Sequence, residues 1–248
     1  MTGNDRSRNR LPMVIAAMAL SLLYCPPLLP KTASEPVAGG TWDFTLPPVP
    51  PVATATGGYS LYTQYRITVG AQGGFVGTIT FQVSDLPTGV NAHFDYPSLT
   101  LNPSVITAAT TLLVAADVSA PPSQSTLTVT ATGGGIERTT TVGLVVDNFT
   151  ITAYPDTQIV PRRNSASYTF TVDPDGFEGN LYFQVRGLPK GATATFNPQT
   201  VTVKKTALPP YTTTMTVTTK GSTTVGTYPL VVSPYLWAQE SRVSLIVQ

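Results

Sequence analysis

The chain has little of what catalytic and metal-binding proteins rely on. It holds one cysteine and one histidine. A single cysteine cannot close an internal disulfide, and zinc-type sites need several Cys or His ligands. Charge is equally scarce: 11% of residues are Asp, Glu, Lys or Arg, and the formal net charge is +1. No basic surplus is available to neutralise phosphates, so no nucleic-acid partner is expected. With a hydrophobic fraction of 42%, the low charge also excludes a disordered chain. The apolar run at residues 11–24, LPMVIAAMALSLLY, falls short of the roughly 20 residues that span a bilayer as a helix. No helical period of useful length follows residue 34.

What is present begins with that run. Arg6, Arg8 and Arg10 precede it, and Pro26, Pro27 and Pro30 end it, because proline lacks an amide donor and clashes with the preceding helical turn. A basic start, a short apolar centre and a small-residue stretch make residues 1–34 a secretory signal peptide or, if uncleaved, a membrane anchor. The expected cut follows Ser34. Cys25 is preceded by Tyr24, whereas an acylated cysteine wants a small residue there, so it reads as a spectator. Residues 35–248 keep 10 Lys+Arg (14 less Arg6, Arg8, Arg10 and Lys31) and 12 Asp+Glu (13 less Asp5), a net charge of −2. The basic N-terminus is therefore a targeting feature. Residues 35–42 read as a tether. Pro36, Pro47, Pro48, Pro50 and Pro51 extend that character to residue 56, into the first, edge strand.

The rest is one unit written twice. GFVGTITFQVSDLPTGVNAHF (74–94) matches GFEGNLYFQVRGLPKGATATF (176–196) without a gap, at eleven of 21 positions. Upstream, YRITV from Tyr65 pairs with YTFTV from Tyr168; downstream, VGLVV from Val142 pairs with VSLIV from Val243. The units are 43–146 and 147–248. Period two runs through both, as in Ile79, Phe81 and Val83, or Leu181, Phe183 and Val185, with threonine and glutamine between. That alternation marks half-buried strands. Turn chemistry falls at 70–73, 86–89, 133–135, 173–176 and 188–191. About seven strands per unit make an antiparallel β-sandwich. Between the units, Val146-Asp-Asn-Phe149 passes from strand to strand without a Gly/Ser linker.

The pattern G-F-x-G, alternating apolars, L-P-x-G and a Phe, then Gly226-Thr-Tyr228, resembles bacterial immunoglobulin-like (fibronectin III/Ig-type) tandem repeats of secreted or cell-surface proteins. The likeness covers residues 43–248. The first unit has Gln124-Ser-Thr126 in place of Gly-Thr-Tyr, and the Cys–Trp–Cys hallmark of antibody domains is missing. The resemblance implies two tandem Ig-like sandwiches acting as spacers or binding modules, and brings no catalytic residue, cofactor or metal site with it.

Few residues remain as candidates for chemistry. His93 sits on the outward parity of a strand with Thr195 at the matching place, and reads as a surface histidine. Asp173-Pro-Asp-Gly176 reads as a β-turn, because Glu178 lies too near to close a calcium loop. Lys204-Lys205 and Arg162-Arg163 read as solvated loop charges. Asn148-Phe-Thr150 fits a glycosylation sequon, but at the unit junction its amide is expected to serve backbone groups. Trp237 falls on inward parity, at the core edge. The exposed aromatics expected of the second unit are Tyr182, outward between Leu181 and Phe183, and Tyr211 and Tyr235 in loops. Such rings can stack on sugars or anchor a protein. The sequence thus predicts a non-catalytic, secreted or cell-surface spacer or adhesion protein. Its partner would be a surface protein or a polysaccharide, the latter bound through Tyr182, Tyr211 and Tyr235.

Overall fold

The computed structural model describes residues 41–49 and 52–248, so the expected signal segment and most of the tether lie outside the described residues. In chain order the strands are β1 (Asp43–Thr45), β2 (Ala53–Thr56), β3 (Thr63–Gln72), β4 (Gly77–Ser84), β5 (Val90–Phe94), β6 (Ser98–Leu101), β7 (Thr107–Ala116), β8 (Ser123–Gly133) and β9 (Ile136–Tyr154). There follow β10 (Thr157–Val160), β11 (Ser165–Asp175), β12 (Gly179–Arg186), β13 (Thr193–Asn197), β14 (Thr200–Val203), β15 (Tyr211–Thr218), β16 (Gly226–Pro234) and β17 (Ser241–Val247). No helix occurs among the described residues.

The pairings repeat. In the first half β1-β3-β7-β5 forms one sheet, and β9-β8-β4-β6, with β2 parallel to β9, forms the other. In the second half β9-β11-β15-β13 forms one, and β10-β17-β16-β12-β14 the other, with β10 parallel to β17. Apart from these two parallel edges every strand pairing is antiparallel, and the inward faces meet on apolar cores, consistent with β-sandwich packing. One core runs from Phe44 to Val146 and the second from Phe149 to Val247. Proline-bearing breaks (Pro47-Pro48, Pro97, Pro155 and Pro198) split the edge strands, giving more segments than seven per half. One piece can then pair in one sheet and the next in the other. Residues 43–49 and 52–56 are accordingly sheet edge and its connection, not tether.

The 19-residue β9 joins the halves. Its first part pairs with β8 up to Val146, and from Asn148 onward it pairs with β11. Two turns show why glycine stands where it does. Gly134 and Gly135, both at positive φ, close the two-residue β8–β9 hairpin, a conformation that right-twisted strands favour. Asp173-Pro-Asp-Gly176 corrects the expectation of a turn. Asp173, Pro174 and Asp175 continue β11 against Thr150, Phe149 and Asn148, and the chain turns only at Gly176, φ 81°. Among the described residues the other side of β11 has no strand partner beyond Val172, and a proline's missing donor is tolerated on an open edge.

A buried tyrosine recurs in both cores. The Tyr65 hydroxyl donates to Gly143 O at 2.6 Å and the Tyr168 hydroxyl to Ser244 O at 2.8 Å, each across to the last strand of its half. Burial pushes both phenols up, Tyr168 to about 12. Tyr65→Phe and Tyr168→Phe keep the ring and lose the donor, so each is expected to cost about 1 kcal/mol. Urea unfolding of the full chain reads this, and no change for either would mean that the bond contributes nothing net.

Candidate functional site

The outward face of the β10-β17-β16-β12-β14 sheet carries the side chains that its counterpart in the first half lacks. On β12 the outward residues are Asn180, Tyr182, Gln184 and Arg186, alternating with inward Leu181, Phe183 and Val185. Register then builds three rows. Gly179 to Tyr182 pair with β14, and Phe183 to Arg186 with β16. One step beyond Phe183↔Pro234, Tyr235 donates its N–H to Tyr182 O at 2.8 Å, which places the two tyrosine backbones next to each other at the end of β16. Their exposures are 55% and 59%. The middle row is Gln184 beside Ser233, and Glu240 directly precedes β17, whose first residue, Ser241, pairs with Val232. The third is Arg186–Val231–Arg242. Glu240 accepts from Arg242 at 2.5 Å and from Arg186 at 3.5 Å.

The corresponding rows of the first half are Thr80–Thr132, Gln82–Thr130–Thr139 and Ser84–Thr128–Thr141. Gln82 and Gln184 match, but the outer two rows hold hydroxyls in the first repeat, and aromatic rings and guanidinium groups in the second.

Two of the three tyrosines expected to be exposed, Tyr182 and Tyr235, are exposed, and their backbones are hydrogen-bonded to each other. Tyr211 is a correction. It is not in a loop but opens β15, it is buried, and its hydroxyl donates to Lys204 O and Ala207 O. Its parity is that of inward-facing Thr213, Met215 and Val217, so the two-residue alternation of Met215 and Val217, carried back four residues, was the available signal. Trp237 packs at the edge of the second core against Phe149 (5.1 Å) and Phe177 (5.3 Å). His93 is exposed on β5, edge-on to Tyr62 at 5.3 Å. Among the described residues no three His, Cys, Asp or Glu side chains are grouped to hold a metal ion. Arg162, Arg163, Lys204 and Lys205 are exposed.

Sequence reasoning missed the junction cluster. Gln239, buried, donates to Gly57 O and to Asn148 Oδ1 (2.7 Å); Asn148 Nδ2 donates to Val118 O (2.9 Å) and Ala120 O (3.0 Å). The Ser60 N–H and hydroxyl both donate to Leu236 O, and Ala238 N–H donates to Gly58 O. The Tyr59 and Trp237 rings lie 4.4 Å apart. A Cβ at Gly57 would stand 2.6 Å from Asn148 Nδ2 and 2.9 Å from Asp117 O, so only glycine fits this approach. Apart from Asn148 in β9, these residues come from loops far apart in sequence, and no local pattern links them.

Beside the junction lies a cleft of about 360 Å³ lined by Thr54, Ser123, Asp147, Gly176 and Lys205 among others. Asp147 is buried, and its Oδ1 has no hydrogen-bond partner among the described residues. Burial pushes its carboxyl above the ordinary 3.8, against a Thr56 hydrogen bond and the Lys205 charge, which favour the ionised form. A raised folded-state pKa on an acid means that its contribution to stability is full below the unfolded value and is lost as pH rises through the folded value. Asp147→Asn is therefore expected to raise the urea midpoint at pH 7, with the gain over wild type shrinking as pH falls toward 3.8. A gain that grows on acidification would contradict the assigned burial. Asp43 and Asp95 carry the opposite sign. A hydrogen bond from Arg138 to the first and from the Thr111 amide to the second lowers each, and wild type and Asp147→Asn share that background.

No family model matches the chain, and no curated protein matches it. Among solved structures, domains 4 and 5 of the S-layer protein SbsC align at 16% identity over 64% of this chain and 70% of that one, TM-score 0.31. A protein of unknown function from Porphyromonas gingivalis W83 aligns at 11% identity over 84% of this chain and 99% of its own, TM-score 0.31. A family 123 glycoside hydrolase from Clostridium perfringens aligns at 10% identity over 39% of this chain and 23% of its own, TM-score 0.33. Likeness at this level does not fix what this chain does.

Proposed function

We propose that the chain is a non-catalytic extracytoplasmic protein of two tandem Ig-like sandwich modules, a spacer or adhesion scaffold at the bacterial surface. The observation that carries this reading is the continuity of the join. One strand, β9, belongs to sheets of both halves, and the hydrogen bonds of Gln239 to Gly57 and to Asn148 of β9, with the Tyr59–Trp237 stack, tie loops of the two halves together beside it. A spacer transmits position, and a strand shared by two cores transmits it where a Gly/Ser linker would not. Residues 1–34 supply the export step of the proposal.

The test is a distance distribution between spin labels at Val76→Cys and Val225→Cys, both exposed, in a Cys25→Ser background. A spacer gives one narrow distribution, which Gln239→Ala broadens. A broad distribution in the unmodified junction would sink the spacer role, and recovery of the protein in the cytosolic fraction of its host would sink the surface role.

A second reading is favoured by the adjacency of Tyr182 and Tyr235: the second module binds polysaccharide on its outward face. Tyr211 has no part in it. In a spacer the two outward faces have no reason to differ, whereas a binder concentrates rings on one.

A further inference from the structure

Within that second reading, the face has a polarity that narrows the ligand. The rows lie two residues apart along β12, about 6.6 Å each at 3.3 Å per residue. The tyrosine row and the arginine row are thus separated by roughly 13 Å along a strand, a reach covered by a short run of linked sugar rings. Gln184, between them, offers both an amide donor and a carbonyl acceptor to ring hydroxyls.

At the far end Arg186, Arg242 and Glu240 leave one positive charge in excess. Their side chains are 68%, 71% and 32% exposed. Ion pairs so open to water contribute little to stability, and the matching row of the first half, Ser84–Thr128–Thr141, manages without them. A guanidinium group has five N–H donors in a planar fork, and one carboxylate engaging one nitrogen of each arginine leaves donors free. Glu240 thus holds two half-occupied forks at one place on the sheet, a geometry suited to a second planar or tetrahedral oxyanion.

We propose that this face binds an anionic pyranose polysaccharide. A sugar ring lies on Tyr182 and Tyr235, and a carboxylate or sulfate of the same chain bridges Arg186 and Arg242. The proposal rests on the polysaccharide-binding reading and adds the charge of the ligand and its direction along β12. Aromatic faces take the C–H side of a pyranose whatever its charge; the arginines select.

Affinity electrophoresis of the full chain tests it, with polygalacturonate, dextran sulfate and unmodified dextran in parallel gels. At least one anionic polymer is expected to retard the protein and dextran is not; which of the two does so names carboxylate or sulfate as the group read. Tyr182→Ala with Tyr235→Ala is expected to weaken retention by about tenfold or more. Arg186→Gln with Arg242→Gln is expected to abolish it. Thr80→Ala with Thr132→Ala, the matching pair of the first half, leaves it unchanged. All these side chains lie at the surface, and circular dichroism of each variant checks that it is folded. Retention that falls with the arginine variant but ignores the tyrosine variant is bulk charge attraction and overturns the proposal. Tyrosine-dependent retention by dextran equal to that by the anionic polymers overturns it while leaving polysaccharide binding in place. Retardation by none of the three overturns both.

Discussion

Phe183→Ala is expected to destabilise the second core by about 3–5 kcal/mol, whereas Tyr182→Ala, one residue earlier, changes stability by no more than about 0.5 kcal/mol. The contrast follows from the two-residue period of β12. Phe183 is fully buried, 6.0 Å from Phe196 across the core, and its backbone N–H and C=O are both tied to Gln199. Removing the ring leaves a cavity that its neighbours cannot fill, because the backbone on either side is held in the sheet. Tyr182 points the other way and is 55% exposed. The chain's two tryptophans report separately. Trp42 packs on Phe75 at the first core, and Trp237 on Phe149 and Phe177 at the second. In a Trp42→Phe background, the Trp237 fluorescence transition in urea is expected to move strongly for Phe183→Ala and to stay put for Tyr182→Ala. Equal shifts would mean that Tyr182 is held by the fold, and would remove the reason for treating it as a surface group placed for a ligand.

That pair also shows how far a sequence reading reaches. Parity alone put Phe183 inside and Tyr182 outside, because alternation is local and survives without knowledge of partners. The proximity of Tyr235 to Tyr182 was not local. It depends on which strand pairs with β12 and in what register, and a shift of one residue would have sent Tyr235 to the opposite face. Tyr211 failed for a different reason. It was read as a loop residue, but a strand can begin directly after Pro209-Pro210, and the alternation from Met215 and Val217 extends back to Tyr211. Asp173-Pro-Asp-Gly176 failed in the same way, with turn-forming residues accommodated in a strand that has one open edge. The junction was the least legible part. Gly57, Asn148 and Gln239 meet through three loops and strands, and Asn148 was singled out only as a backbone-serving amide, without its partners.

The largest effect of a single methyl group is expected at Gly187. Its φ is 91°, in the left-handed region, and a Cβ there would stand 2.3 Å from Pro229 O, a backbone atom of β16. A left-handed alanine costs roughly 1–2 kcal/mol by itself. The carbonyl cannot swing away as a side chain would, since Leu230, the next residue, is buried and paired with Val243. The β12–β16 pairing must therefore open near Arg186↔Val231, and Gly187→Ala is expected to cost more than about 3 kcal/mol in total. The first repeat supplies the control. Its matching residue is Asp85, at φ 64°, with a carboxyl that accepts from the Ser84 hydroxyl at 3.1 Å. The turn itself therefore tolerates a side chain where the neighbouring backbone stands back, and Asp85→Gly is expected to stay within about 1 kcal/mol of wild type. Gly187→Asp, which copies the first repeat into the second, should be as damaging as Gly187→Ala. If Gly187→Asp proved as stable as wild type, the close approach of Pro229 would not constrain this position. Because Gly187 directly follows Arg186, Gly187→Ala should also scatter the arginine row. Retention by an anionic polysaccharide is then expected to fall in it at denaturant-free conditions where the first core remains folded.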